Sequence, residues 1–183
     1  MDRLRELCPD VGLSNDLIVG FPTETEEDFE QTLGLLDRVK FDNIYAFAYS
    51  SRPGTRASKL PDDVNKKTKS ERLNRLLKYQ MEISEKLYAS RVGKVMEILV
   101  EGESRNQKMT QDLSPKDPLK NVPNSASGFR VWTGRTACNR VVNFMSNSPR
   151  SFIGKWVDVK ITASTSLSLK GEMVSDVNEG KLL

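Results

Sequence analysis

"DLIVGFPTETEEDF", Asp16 to Phe29, reads as a strand, a tight turn and the start of a helix. Leu17, Ile18 and Val19 form the short apolar run expected of a buried parallel strand. Gly20 lets the backbone turn, and Pro22 removes an N–H and stops the strand. Thr23 with Glu26, or Thr25 with Asp28, can cap the helix that follows, and Glu24, Glu26, Glu27 and Asp28 suit its positive end. Phe29, Leu33, Leu36 and Val39 turn one helical face inward. "NIYAFAYS" (43–50) follows as a second strand and runs into a Pro-Gly turn. The interval between the strands fits one crossover helix, so the unit is βαβ. A turn at the C-terminal end of a parallel strand is where such proteins usually hold a ligand.

Beyond this unit, residues 65–90 read as a longer helix with Leu73, Leu76, Leu77, Gln80, Ile83 and Leu87 on its inner stripe. Its many Lys and Arg residues are interspersed with Glu71, Glu82 and Glu85, the pattern of a solvated face. After Gly93 the period changes to two. "KVMEILVE" (94–101), "VWTGRT" (131–136), "NRVVNF" (139–144), "KWVDVKI" (155–161) and "LSLKGEMV" (167–174) are five candidate strands. Short strands so closely spaced predict a small closed or nearly closed β-barrel. The intervening polar stretch 105–128 is poor in apolar residues and is expected to be a long loop. The expected organisation is α/β followed by all-β: an α/β part over 1–90, a β-barrel over 91–176 and a tail over 177–183.

Composition removes several kinds of chemistry. The chain of 183 residues contains no histidine, which excludes a Ser-His-Asp or Cys-His nucleophile. Cys8 and Cys138 are its only cysteines, too few for a structural zinc or a Cys-ligated iron–sulfur cluster. They could form one bridge, but a cytoplasmic chain would keep both reduced. A mean hydropathy of −0.50 and the lack of any apolar run near 20 residues argue against a membrane, and "MDRLRELCPD" lacks the apolar core of a signal peptide. The chain is expected to be cytoplasmic. Residues 1–90 carry 14 Lys and Arg against 16 Asp and Glu, whereas residues 91–183 carry 14 against 9. The second half is therefore the better candidate for contact with a polyanion.

A single βαβ unit leaves strand edges and an apolar face uncovered. A (β/α)8 barrel takes about 250 residues, and residues 1–60 supply about a quarter of one. The economical reading is the C-terminal piece of a longer protein. Two blocks sharpen it. "LSNDLIVGFPTETEEDFEQTLGLLDRVKFDNIYAFAYSSRPGTRA" resembles the last part of the radical S-adenosylmethionine barrel of the MiaB-type methylthiotransferases. "VGKVMEILVEGESR", "GRTACNRVVNF", "IGKWVDVKIT" and "SLSLKGEMV" resemble the OB-like TRAM domain that follows it in that family. One departure is Thr23 in "GFPTET", where the family usually has Gly.

The resemblance implies a tRNA methylthiotransferase that adds a methylthio group to C2 of isopentenyladenosine beside the anticodon, at position 37. It implies S-adenosylmethionine and two 4Fe-4S clusters as cofactors, and an anticodon stem-loop as partner. The cluster cysteines are absent from this chain, so the missing N-terminal part of the same enzyme would supply them, and the chain alone is expected to be inactive. By resemblance, Val19, Gly20, Phe21 and Pro22 would lie against the adenosyl group, and exposed backbone groups beside a Gly suit an adenine edge. Glu24 could bond a ligand amine or favour the helix dipole. In the barrel, Arg135 and Arg140 flank a hairpin tip where they suit phosphates, and Asn139 can read a base edge. Trp132 and Trp156 are core or rim residues on one reading and base-stacking platforms on the other. Two other functions stay open: a non-catalytic RNA-binding module, and a paralogous methylthiotransferase acting on a ribosomal protein or another modified adenosine.

Overall fold

In the computed structural model, which describes residues 1–105 and 130–175, the apolar run before Gly20 forms β1 (Ser14–Val19). It pairs in parallel with β2 (Asn43–Ala48), from Ser14 opposite Asn43 to Val19 opposite Ala48. The crossover is α2 (Glu26–Val39). Thr25 and Asp28 form its capping box, each side chain accepting from the other's backbone N–H. Of the two possible caps the chain uses this one, because Thr23 stands in a left-handed conformation before the helix. At the other end Arg5 of α1 (Asp2–Leu7) donates to the carbonyls of Val39 and Lys40, placing a cation on the negative helix terminus. The sequence reading did not foresee this short helix.

The expected stripe of α2 meets the sheet: Val19, Phe29, Leu36, Val39 and Ile44 are buried together with Leu76 and Ile83 of α3 (Lys66–Ala89). Polar groups on α3 also fix the end of the crossover. Gln80 donates to the Phe41 carbonyl, and Ser84 to that of Asp42. Two details of α3 depart from expectation. Leu77 is exposed, whereas Lys69 and Arg72, expected on the solvated face, are buried. Their carboxylate partners lie outside the helix, Asp62 just before it and Glu24 and Glu26 in the turn before α2 and in α2 itself, so the helical pattern could not reveal them. The opposite face of the sheet is bare, with Ile18 57%, Tyr45 55% and Phe47 59% exposed.

The chain divides into two compact units, Met1–Leu87 and Tyr88–Leu183. The second contains β3 (Val95–Glu103), β4 (Arg130–Arg135), β5 (Val141–Ser146), β6 (Trp156–Ser164) and β7 (Leu169–Ser175). They close in the order β3-β4-β5-β7-β6, with β5 and β7 parallel and every other pair antiparallel. The expected β-barrel is therefore present. Its third strand begins at Val141 rather than at residue 139, because Asn139 and Arg140 complete the preceding turn. The expected loop 105–128 beyond Arg105, and the tail 177–183, lie outside the described residues.

Closure depends on two close approaches of backbone to backbone. β3 pairs with β6 through Leu99 and with β4 from Leu99 onward, bulging between Val100 and Gly102. Where it bends, a Cβ on Gly134 would stand 2.3 Å from the Leu99 carbonyl oxygen. Across β6–β7, a Cβ on Gly171 would stand 2.5 Å from that of Lys160. Neither oxygen can move without breaking the ladder. Gly134→Ala and Gly171→Ala should each destabilise the barrel by about 3 kcal/mol, the upper range for forced overpacking. Urea denaturation of each variant checks this, and an unchanged midpoint would contradict the bent-strand account.

Candidate functional site

The turn after β1 is built by hydrogen bonds that its own sequence only partly announces. Gly20 has φ 69°, and its N–H donates to Glu24 Oε2 at 2.7 Å. The same carboxylate oxygen accepts from Arg72 Nη1 at 2.5 Å, and Arg72 also donates to the Glu24 carbonyl and to Glu26. Both side chains of this ion pair are nearly enclosed, at 7% exposure for Arg72 and 11% for Glu24. Glu24 therefore closes the turn from inside. The Val19 carbonyl accepts from Tyr49 N–H.

Lys69 packs its stem so close to Gly20 that a Cβ there would fall 2.3 Å from Lys69 Cγ. Its ammonium pairs with Asp62 and lies 5.0 Å from the centre of the Tyr49 ring. What the turn presents outward is Phe21, 40% exposed and edge-on to Tyr49 with ring centres 5.2 Å apart, while Pro22 is buried. Of the four expected ligand residues, the aromatic ring is thus available, whereas the Gly20 N–H is already engaged.

Thr23, at φ 71°, donates its N–H to Asp63. A β-branched residue is strained in this region, and Gly would adopt it without strain. The capping carboxylate Asp28 is held below its ordinary range, first by the Thr25 N–H and then by the Thr25 hydroxyl. The Arg75 guanidinium, with Arg72, does the same for Glu26.

In the barrel, the β4–β5 hairpin turns through residues 136–140, closed by Thr136 N–H to the Arg140 carbonyl and Arg140 N–H to Thr136 Oγ1. Asn139 takes the left-handed position, φ 62°. Arg135 donates through Nε to Glu101 at 2.9 Å and through Nη1 to Asn139 Oδ1 at 3.0 Å. Arg135 and Asn139 are thereby brought together at the surface. Arg140 is not with them: at 3% exposure it is buried, because alternation along the hairpin directs it inward. Trp132 is a core residue, 1% exposed and edge-on to Phe152 at 5.3 Å, with its indole N–H unpartnered among the described residues. Trp156 is half-buried.

Cys8 and Cys138 are not joined by a disulfide. Among the described residues no group of three or more metal-ligating side chains occurs, and no helix is long and apolar enough to cross a membrane.

Two outcomes are expected of the turn. Thr23→Gly should stabilise the first unit by about 1 kcal/mol, strain relief exceeding the added freedom of the unfolded chain; thermal melting of the variant checks it. Asp28 binds its proton more weakly folded than unfolded, so its contribution to stability is present above the ordinary value of 3.8 and lost as pH falls through the depressed folded one. Asp28→Asn should remove that acid-limb loss, as read by melting temperatures between pH 2 and 5, whereas Thr25→Ala, which keeps the backbone N–H, should only lessen it.

Residues 127–174 match the TRAM domain family. The chain is 43% identical over 172 residues to the tRNA-2-methylthio-N(6)-dimethylallyladenosine synthase of Acetivibrio thermocellus, covering 94% of the chain and 31% of that protein. It is 43% identical over 173 residues to the synthase of the same name from Syntrophobacter fumaroxidans, covering 94% and 33%. With that of Methylococcus capsulatus it shares 42% over 181 residues, covering 99% and 34%. The chain thus spans about a third of the length of the curated relatives it matches. Over that third the similarity to these synthases runs through both units, and the TRAM match falls within the second.

Proposed function

We propose that this chain is the C-terminal part of a radical S-adenosylmethionine enzyme that methylthiolates C2 of isopentenyladenosine at position 37 of tRNA. The observation that carries the reading is the single alignment at 42–43% identity through 94–99% of the chain. The bare sheet face of Ile18, Tyr45 and Phe47 supports it, since a two-stranded sheet with an open apolar face suits one sector of a larger barrel. We assign the α/β barrel part to 1–90 and the RNA-binding barrel to 91–176.

S-adenosylmethionine, when bound, would supply the radical-generating chemistry. The Val19–Pro22 turn would meet its adenosyl group through the exposed Phe21 ring, on a backbone that Glu24 and Arg72 hold fixed. The residues present do not fit an iron–sulfur cluster, for two cysteines cannot form a three-cysteine group. In the barrel, Arg135 would pair with an RNA phosphate, with Asn139 beside it reading a base edge, while the backbone of Arg140 fixes the hairpin.

The reading is tested by replacing the corresponding third of the Acetivibrio synthase with this chain and analysing tRNA nucleosides for the methylthio product. An active chimera supports it, and a folded, cluster-loaded chimera without product overturns it. The 183-residue chain itself should bind no cluster on anaerobic reconstitution, read from the absence of cluster absorbance. It should bind stem-loop RNA with a steep salt dependence. Arg135→Ala should reduce the log–log slope by about 0.7 to 0.9, the value of one phosphate contact.

A further inference from the structure

The barrel wall beside the hairpin carries polar side chains that the hairpin reading leaves unused. In β4, Trp132 and Gly134 face inward, so Thr133 and Arg135 face out. In β5, Val142 and Phe144 are enclosed, so Val141 and Asn143 face out. In β7, Leu169 and Gly171 are enclosed, which turns Lys170 and Glu172 outward. Register then aligns these residues. Thr133 is paired with Asn143, and Asn143 with Lys170 on its other side. Paired residues on neighbouring strands share a face, and strand spacing puts the ends of this row roughly 10 Å apart. Arg135 stands two residues along β4 from Thr133, on the same face.

The side chains of Thr133, Asn143 and Lys170 are half-buried, as expected for the middle of a sheet wall. Neither the Thr133 hydroxyl nor the Asn143 amide has a hydrogen-bond partner among the described residues, so donors and acceptors stand ready on the central strand. Cations bracket them, Arg135 on one side and Lys170 on the other. Two anions adjoin this wall: Glu101, which Arg135 would exchange for a phosphate, and Glu172, which faces Lys160 across β6–β7.

We propose that this wall of β4, β5 and β7 binds unpaired nucleotides of single-stranded RNA, with Asn143 reading a base edge and Lys170 and Arg135 holding the flanking phosphates. The proposal rests on the RNA reading of the barrel and extends it from the hairpin tip to a face. An amide at the centre favours single strands over duplex, since the Watson–Crick edges that carry sequence are open to it only where bases are unpaired. The aromatic residues of these strands, Trp132 and Phe144, face the core, so recognition here uses hydrogen bonds and charge in place of stacking.

Fluorescence anisotropy with the 183-residue chain tests this, using labelled RNA stem-loops that share one stem and differ in loop sequence, and a blunt duplex of that stem. Asn143→Ala should cut discrimination among loops by about 5- to 10-fold while leaving the salt slope unchanged. Lys170→Ala should lower the slope by about 0.7 for every loop. Asn143→Asp keeps the side chain's shape but loses the amide donor and should discriminate as poorly as the alanine variant, which covers the case of an unfolded Asn143→Ala. Folded Asn143 variants with unchanged discrimination would overturn the face, even if Arg135→Ala still lowers the slope and the barrel's RNA binding stands. A chain whose affinity for every stem-loop is independent of salt would overturn both.

Discussion

The first unit depends on one enclosed ion pair. Arg72 lies in α3 and Glu24 in the turn before α2, and their contact at 2.5 Å joins helix to turn with almost no water around either group. Losing one partner of such a pair leaves the other charge stranded, at a cost of about 3–5 kcal/mol. Here the penalty is spread, because Arg72 also reaches Glu26 and stacks 5.7 Å from the centre of the Phe29 ring. Arg75 adds Glu26 and Glu30 at the exposed margin of the same network. The Glu24 carboxylate thus serves two donors from opposite sides, Arg72 and the Gly20 amide, and the turn has little freedom to change shape.

Much of this was legible in the sequence, for physical reasons. β1 was readable because three apolar residues end at Gly20 and Pro22, and α2 because Phe29, Leu36 and Val39 recur at helical spacing. The β-barrel declared itself through period-two strands that carried no helical signal. The capping residue was not decidable, since Thr23 and Thr25 each have an acidic residue three positions on. What separates them is the backbone angle of Thr23, which the sequence does not carry.

Side chains whose placement is set outside their own element were the ones misplaced. Lys69 and Arg72 looked like members of a solvated helical face because their carboxylate partners lie outside that helix. Arg140 looked like a twin of Arg135 because both flank the hairpin tip, yet the pleat sends one outward and the other inward. The outward row of Thr133, Asn143 and Lys170 gave no signal at all, as its members come from three strands and meet only through register.

Enclosure of Trp132 has an optical consequence. Its indole sits in an apolar, water-free setting against Phe152, with no acceptor at its N–H among the described residues, while Trp156 is only half-buried. The two fluorophores differ in polarity of surroundings, and both belong to the β-barrel. Emission from Trp132 belongs at shorter wavelength and is shielded from aqueous quenchers, and that from Trp156 is redder and more accessible. Because no other tryptophan exists in the chain, fluorescence under tryptophan-selective excitation reports on the second unit alone, and the tyrosines of the first unit stay silent there.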